Sequence, residues 1–368
     1  MYTEQDLIKI AKRENNKKRP YLIVNKLQGK HIPTAPGQAF EMFDALAEQL
    51  VHKYAGERLL LVGFAETATA IGARLAVRLH TYYIQTTREQ IPGVSYLYFT
   101  EAHSHATEQK LVKDDIDQVI EKVDRIIFAE DEVTTGNTIF GIIKILKRQY
   151  PKKAEYAIAS LLNGMDLTAE QICREQKIDL AYLRKISHAG YAEVAEAYTG
   201  DGTYVLSDTT AYRQEPSCRI FGYQNARRLV TGDAYEQACR KLWEDMREFT
   251  EVSRGERVLV IGTEECMYPA LYVGDCIERL GGIVLCHSTT RSPIAVSSSA
   301  DYPLHTRYEL ESLYEAGRKT FIYDLAAYDS VIILTDAPDE NERGAASLWH
   351  ALRGCGNRNI RFFRWCAK

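Results

Sequence analysis

The sequence predicts an α/β protein of two domains, the first built on a parallel sheet with helices on both faces and the second a further α/β domain. Three observations lead there. Short apolar runs such as LLLV at 59–62 and IIFA at 126–129 alternate with segments of helical periodicity. These runs are unbroken, as strands buried on both faces are. The chain has 368 residues, more than one ordinary compact core accommodates, so a first domain is placed at 1–215 and a second at 216–368.

Each element follows from local pattern. The first twenty residues are polar and predict a helix with a loose end. A short strand is expected at 21–24, followed by the Gly/Pro-rich loop NKLQGKHIPTAPG. Phe40, Phe43, Leu46, Leu50 and Val51 recur at helical spacing and predict a helix over 38–54. Then come a strand at 59–62, a turn at 63–67 and a helix at 68–79. YYIQTT and SYLYF read as strands, 101–111 as a long loop, and DIDQVIEKV as a helix. The strand at 126–129 is followed by a helix carrying Ile139, Ile142 and Ile143, and a further strand spans 156–162. In such folds ligands bind beyond the carboxyl ends of the strands.

Composition excludes several classes. The chain is 45% hydrophobic and 26% charged, which suits a globular protein. A net charge of −4 leaves no general nucleic-acid footprint. No run approaches about 18 apolar residues, so no membrane span is expected, and the polar N-terminus, which has acids and no apolar core segment, is unlike a secretory signal. The eight cysteines form no Cys-x-x-Cys pair and read as reduced thiols of a cytoplasmic protein.

The stretch IIFAEDEVTTGNTIFGII, 126–143, carries the chemistry. It places Glu130, Asp131 and Glu132 at the tip of a core strand, and Thr134, Thr135, Gly136, Asn137 and Thr138 at the entry to a helix. A helix N-terminus offers unpaired amides and the positive end of the macrodipole, and small residues let an anion approach them. The stretch is not a P-loop, since it lacks that spacing and its lysine. Carboxylates accept hydrogen bonds from hydroxyls and bind hard cations. A ligand with a phosphate at one end and a diol plus a metal near the other satisfies both halves. A ribose 5-phosphate group fits.

This stretch resembles the phosphoribosyl-diphosphate (PRPP) motif of type I phosphoribosyltransferases, in the orotate-phosphoribosyltransferase-like branch. The resemblance implies a Rossmann-like transferase domain that uses PRPP and Mg2+. It implies that Glu130 and Asp131 contact the ribose hydroxyls and the metal, and that Thr134, Thr135, Gly136, Asn137 and Thr138 hold the 5-phosphate. VGFAETATAIG resembles the family's diphosphate loop, with Ala65, Glu66 and Thr67 facing the diphosphate. Arg88, at the end of the next strand, is a candidate diphosphate clamp. FTEAHSHATEQK sits where type I enzymes carry a mobile loop, and His103 or His105 would donate to the leaving diphosphate beside Asp131. Lys30 and His31, in the Gly/Pro loop, suit phosphate contacts or a hood over the acceptor.

In the second half, HSTTRSP resembles the TRSP domain, a companion C-terminal to one phosphoribosyltransferase branch in bacterial tellurite-resistance and stress gene clusters. The halves also echo each other. Gly63, Phe64, Ala65 and Glu66 match Gly262, Thr263, Glu264 and Glu265. Thr86, Thr87 and Arg88 match Thr289, Thr290 and Arg291, and Asp131 matches Asp336. A duplicated, degenerate second domain follows, with DAPDENERG standing where the phosphate cradle should be. Glu264, Glu265, Arg291 and Ser292 could form a polar site there. The expected activity is phosphoribosyl transfer to a small nitrogenous acceptor, or the reverse reaction, in a homodimer. The rival expectation is a non-enzymatic PRPP or nucleotide sensor.

Overall fold

The computed structural model describes residues 2–14, 16, 19–99, 109–151, 153–206, 217–338 and 341–367. The chain opens with one helical turn, α1 (Glu4–Leu7), closed by reciprocal hydrogen bonds between Thr3 and Asp6. It passes directly into strand β1 (Ile8–Lys12), which pairs antiparallel with β2 (Tyr21–Asn25). The helix expected over the first twenty residues is thus confined to its first turn. IKIAK buries Ile8 and Ala11 and finds a partner strand, and pairing overrides local propensity.

Helix α2 (Pro36–Lys53) precedes β3 (Leu59–Gly63), α3 (Thr69–Leu79) and β4 (Tyr82–Gln85). A hairpin follows, β5 (Tyr96–Phe99) with β6 (Gln109–Val112), so the expected loop at 101–111 ends in a strand. Then come α4 (Lys113–Val119), β7 (Arg125–Val133), α5 (Asn137–Gln149), β8 (Glu155–Asn163), α6 (Leu167–Gln176) and β9 (Ile178–Lys185). The remainder comprises α7 (Tyr191–Glu196), β10 (Thr203–Leu206), β11 (Cys218–Phe221), β12 (Val230–Thr231) and α8 (Gly232–Met246). It continues with β13 (Arg257–Gly262), α9 (Tyr268–Arg279), β14 (Ile283–Ser288), β15 (Thr306–Glu311) and β16 (Lys319–Tyr323). The last elements are β17 (Ser330–Thr335), α10 (Glu342–Gly354) and β18 (Ile360–Cys366).

These elements form two compact units that interleave along the chain. The first unit is Phe40–Ser187 with Gln224–Ala238. The second is Met1–Ala39, His188–Tyr223 and Cys239–Lys368. Backbone pairing explains the second grouping. Arg13 bridges to Ile294, Thr34 to Cys286, β10 runs beside β15, and β11 beside β18.

The sheet of the first unit has the order β12-β4-β3-β7-β8-β9. Its strands are parallel except β12, which is antiparallel to β4. Leu60, Leu61, Val62, Ile126, Ile127, Phe128 and Ala129 are buried, as unbroken apolar runs require. Helix α3 packs on β3, β4 and β7 at very close range. A Cβ at Gly72 would lie 2.8 Å from the Cα of Gly63 and 3.0 Å from the Tyr83 ring. The Tyr83 hydroxyl donates to the Thr69 carbonyl at 2.7 Å, which locks the start of the helix over β4. On its outer side α3 is tied to α2 by a bidentate pair, Arg74 to Asp44 at 2.6 and 2.7 Å.

The sheet of the second unit has the order β11-β18-β17-β13-β14, all parallel. Taken in chain order, β14-β13-β17-β18 repeats the wiring of β4-β3-β7-β8: second, first, third, fourth. The duplication expected from the sequence passes this test of strand order. Local bonds repeat as well. The Arg58 amide donates to Asp124 at 2.8 Å, and the Arg257 amide to Asp329 at 2.8 Å. The Thr86 amide donates to the Gly63 carbonyl at 2.9 Å, and the Thr289 amide to the Gly262 carbonyl at 3.1 Å. Thr87 exchanges two backbone bonds with Lys110, as Thr290 does with Phe321. The fifth position differs. β9 follows β8 in the chain, whereas β11 precedes its whole sheet.

The α3–β3 contact positions the turn between them. Gly72→Val forces a branched side chain into that contact and should destabilise the protein by about 2 kcal/mol or more. A urea-unfolding midpoint equal to wild type would contradict the assignment of this contact as close-packed.

Candidate functional site

In the first unit the strand order reverses between β3 and β7, and crevices at such points bind ligands in α/β sheets. β3 pairs with β7 only as far as Gly63 opposite Ala129. β7 then continues alongside β8, with Glu130 opposite Ser160 and Val133 opposite Asn163. The strand therefore runs four residues past the end expected at Ala129, and Glu130, Asp131 and Glu132 belong to it. They overhang β3, half-buried, on the part of β7 that is paired with β8.

The turn after β3 meets this overhang. The Thr67 hydroxyl donates to Asp131 Oδ1 at 2.9 Å. The turn itself is closed by a ring of hydrogen bonds. The Ala65 amide donates to Thr86 Oγ1 at 2.8 Å, Thr86 Oγ1 donates to Gln109 Oε1 at 2.7 Å, and Gln109 Nε2 donates to the Ala65 carbonyl at 3.0 Å. The Ala65–Glu66 peptide is cis. Arg88 follows, half-buried, two residues past Thr86. Gln109 is a positioning residue the sequence reading missed. A glutamine opening the run QKLV carries no local signal, and only its burial and its two partners reveal it.

Beyond β7, Gly136 sits at the N-cap of α5 with φ +71°, a conformation that favours glycine. A Cβ there would also lie 2.8 Å from Met165 Cε and 2.9 Å from Phe140 Cζ. A glycine cap contributes no side chain, and the first turn of α5 carries no acid, so nothing from the cap covers the positive end of the helix. Thr135 Oγ1 accepts from the Asn137 amide at 3.4 Å. Thr134 and Thr138 are half-buried, Thr135 and Asn137 exposed. The helix is fixed from its other face, where Ile139, Ile142, Ile143 and Leu146 are buried.

Electrostatics single out Asp131. Burial, and then the negative charge of Glu132, push its carboxyl up to about 6, against the Thr67 hydroxyl and the amides of Asp131 and Glu132, which favour the ionised form. The site thus holds concentrated negative charge that a cation would relieve. Among the described residues no group of three or more His, Cys, Asp or Glu side chains could cage a metal by itself. Two carboxylates, Glu130 and Asp131, fit magnesium, which is commonly held by one or two carboxylates plus substrate phosphates and water.

The structure therefore brings Ala65, Glu66, Thr67, Glu130, Asp131, Thr134, Thr135, Gly136, Asn137 and Thr138 to the carboxyl ends of two adjacent strands, with Arg88 past the third. Lys30 and His31 fall elsewhere, in the second unit. Lys30 is fully buried there and donates to the carbonyls of Glu264 at 3.0 Å and Thr289 at 2.8 Å. His31 packs against the Tyr323 ring. The loop is carried there by the Thr34–Cys286 bridge and by Gly29, at φ +70° against the Cys286 carbonyl. His103 and His105 lie outside the described residues.

A carboxyl whose pKa is raised by folding binds its proton more tightly in the folded state. Its ionisation opposes folding, a cost that is absent below about pH 4 and complete above about pH 6. In the metal-free protein Asp131→Asn should therefore raise stability at pH 8 by on the order of 1–3 kcal/mol, and the gain should vanish near pH 4. Chemical denaturation in a chelator at the two pH values checks this. A gain that is the same at both would contradict it.

Comparison with known proteins fits this geometry. A family model described as phosphoribosyl transferase matches residues 7–195, just over half of the chain. A second, the TRSP domain C-terminal to that transferase, matches residues 221–352. No curated protein matches. Among solved structures, the chain is similar to adenine phosphoribosyltransferase from Rhodothermus marinus, at 16% identity over 50% of this chain and 96% of that one, with a TM-score of 0.35. It is similar to the Trypanosoma brucei enzyme in complex with AMP, pyrophosphate and ribose-5-phosphate, at 15% identity over 49% and 76%, with a TM-score of 0.35. It is also similar to the Giardia lamblia enzyme with 9-deazaadenine, at 13% identity over 50% and 96%, with a TM-score of 0.34. The chain belongs to this phosphoribosyltransferase family and carries its C-terminal TRSP domain.

Proposed function

We propose that the protein transfers the phosphoribosyl group of PRPP to a small nitrogenous acceptor, with magnesium. One observation carries the reading. A carboxylate pair overhanging β3 and an acid-free helix N-terminus capped by glycine follow each other within eight residues of chain, one suited to a diol and the other to a phosphate. The family assignment supports it independently.

In this reading Thr134, Thr135, Gly136, Asn137 and Thr138 hold the 5-phosphate through amides and hydroxyls. Glu130 and Asp131 accept hydrogen bonds from the ribose hydroxyls. The turn Ala65, Glu66, Thr67 and the Arg88 guanidinium hold the diphosphate. Glu130 and Asp131 would hold magnesium, whose charge would offset that of the diphosphate. The bond between the anomeric carbon and diphosphate breaks with its electron pair leaving on oxygen. The acceptor nitrogen supplies the pair for the new bond. Positive charge develops on the ribose, and in this reading Glu130 and Asp131 stabilise it. His103 or His105 donates to the departing diphosphate. The same groups serve the reverse reaction. The reading places the enzyme in the cytoplasm, as a homodimer; among the described residues no helix is long and apolar enough to cross a membrane.

A panel of purines, pyrimidines and other nitrogenous acceptors, incubated with PRPP and magnesium and assayed for diphosphate release, tests the reaction. One acceptor class should give turnover. His103→Ala/His105→Ala should then lower kcat by about 100-fold or more while leaving PRPP affinity within a few-fold. PRPP binding with no diphosphate release from any acceptor would favour the sensor over the enzyme.

A further inference from the structure

The second unit repeats the frame of the first site, but one position is filled differently. Ala65 and Glu264 correspond. Each lies two residues past its strand, and each donates its amide to the hydroxyl of the threonine that follows the next strand, Thr86 at 2.8 Å and Thr289 at 2.9 Å. Arg88 and Arg291 correspond, each two residues beyond that threonine. The β5–β6 and β15–β16 hairpins correspond through the Thr87–Lys110 and Thr290–Phe321 bridges. Where the first unit has the methyl group of Ala65, the second has a carboxylate.

That carboxylate is 1% exposed and surrounded by donors. Glu264 Oε2 accepts from Arg291 Nε at 2.7 Å and from Arg318 Nη2 at 3.0 Å. Oε1 accepts from Ser312 Oγ at 2.5 Å. Ser312 and Arg318 lie on the turn joining β15 to β16, so these bonds hold the hairpin down on the strand ends. Arg291 also reaches Glu265 at 3.3 Å, and Arg318 reaches Glu315 at 2.8 Å at the rim. Lys30 approaches from the N-terminal segment and bonds the Glu264 carbonyl. Asp336, the counterpart of Asp131, accepts from the hydroxyls of Tyr223 at 2.6 Å and Tyr314 at 2.5 Å. Glu264 adopts φ +47°, which turns this loop in a way few residues with a side chain adopt.

We propose that the second unit is a copy of the transferase frame whose anion site is occupied by its own Glu264 carboxylate. Clamped by Arg291 and Arg318, it stands where the first unit receives diphosphate, so this unit takes no PRPP and its hairpin is held shut. The comparison with the first unit rests on the function proposed above, but the clamp itself does not. Without the Glu264 carboxylate, Arg291, Arg318 and the Ser312 hydroxyl converge on a space suited to a small polyanion, with Glu265 as a second buried carboxylate beside it.

Titration of the full-length protein with inorganic diphosphate, read by calorimetry, tests this through stoichiometry. Glu264→Ala should take up one more equivalent than wild type, whether or not the first site binds diphosphate. Glu265→Gln should take up none beyond wild type. Equal stoichiometry for Glu264→Ala and wild type would overturn the proposal, as would wild type binding at Arg291 and Arg318. If Glu264→Ala does not fold, Glu264→Gln keeps the shape and removes the charge. Diphosphate should then raise its melting temperature more than that of wild type, and an equal rise would overturn the proposal. Failure of the first site alone would show as zero equivalents for wild type and one for Glu264→Ala.

Discussion

The hydrogen bond from Thr67 to Asp131 spans the two strand ends at which the sheet of the first unit changes direction. It can form only if the turn after β3 is held in place and β7 reaches beyond its neighbour. The first condition rests on the Ala65–Thr86–Gln109 ring and on the close seating of α3 at Gly72. The second rests on β8, which pairs with β7 to its last residue. Asp131 therefore stands in a half-buried setting beside Glu132. There desolvation and like charge make its ionised form costly, and a hydroxyl and two amides recover only part of that cost. Such a carboxylate is primed for a cation and for hydroxyl donors, which makes the bond both a structural tie and a clue to the ligand.

The second unit shows what the same frame becomes when those demands are met from within. Its switch point is tied by Thr263 to Thr335 at 2.6 Å, and its aspartate is taken by two tyrosine hydroxyls. Its loop carboxylate is matched by two guanidinium groups, both on Oε2. Removing one partner from a buried network of this kind leaves uncompensated charge, so the network resists piecemeal change. The two halves thus spend the same architecture differently: one keeps polar groups oriented toward an outside ligand, the other turns them on each other.

How much of this is legible in sequence depends on the range of the interactions. The strand, acids, glycine turn and helix of 126–149 are legible because each has its own local chemistry within a few residues. The repeated wiring is legible because apolar runs and their polar ends recur in the same order. The strand at Ile8–Lys12 is not legible, because five residues with polar flanks become a strand only on meeting Tyr21–Asn25. The overhang of β7 depends on β8 in the same way. Lys30 is the furthest case. In a Gly/Pro loop it reads as a phosphate contact, yet its ammonium is satisfied by a carbonyl 234 residues away. The interleaving of the two units follows from such long-range pairings, which no window along the chain contains.

The proposed function requires that Glu130 and Asp131 form a ribose-phosphate site. Calorimetric titration of PRPP with magnesium into wild type and into Glu130→Gln/Asp131→Asn asks this directly. Saturable binding to wild type, weakened by about 100-fold or more in the double variant, is the predicted result, since each ionised acceptor of a ligand hydroxyl contributes about 1.5–3 kcal/mol. Equal affinity in the two proteins, or no binding to wild type, would contradict it.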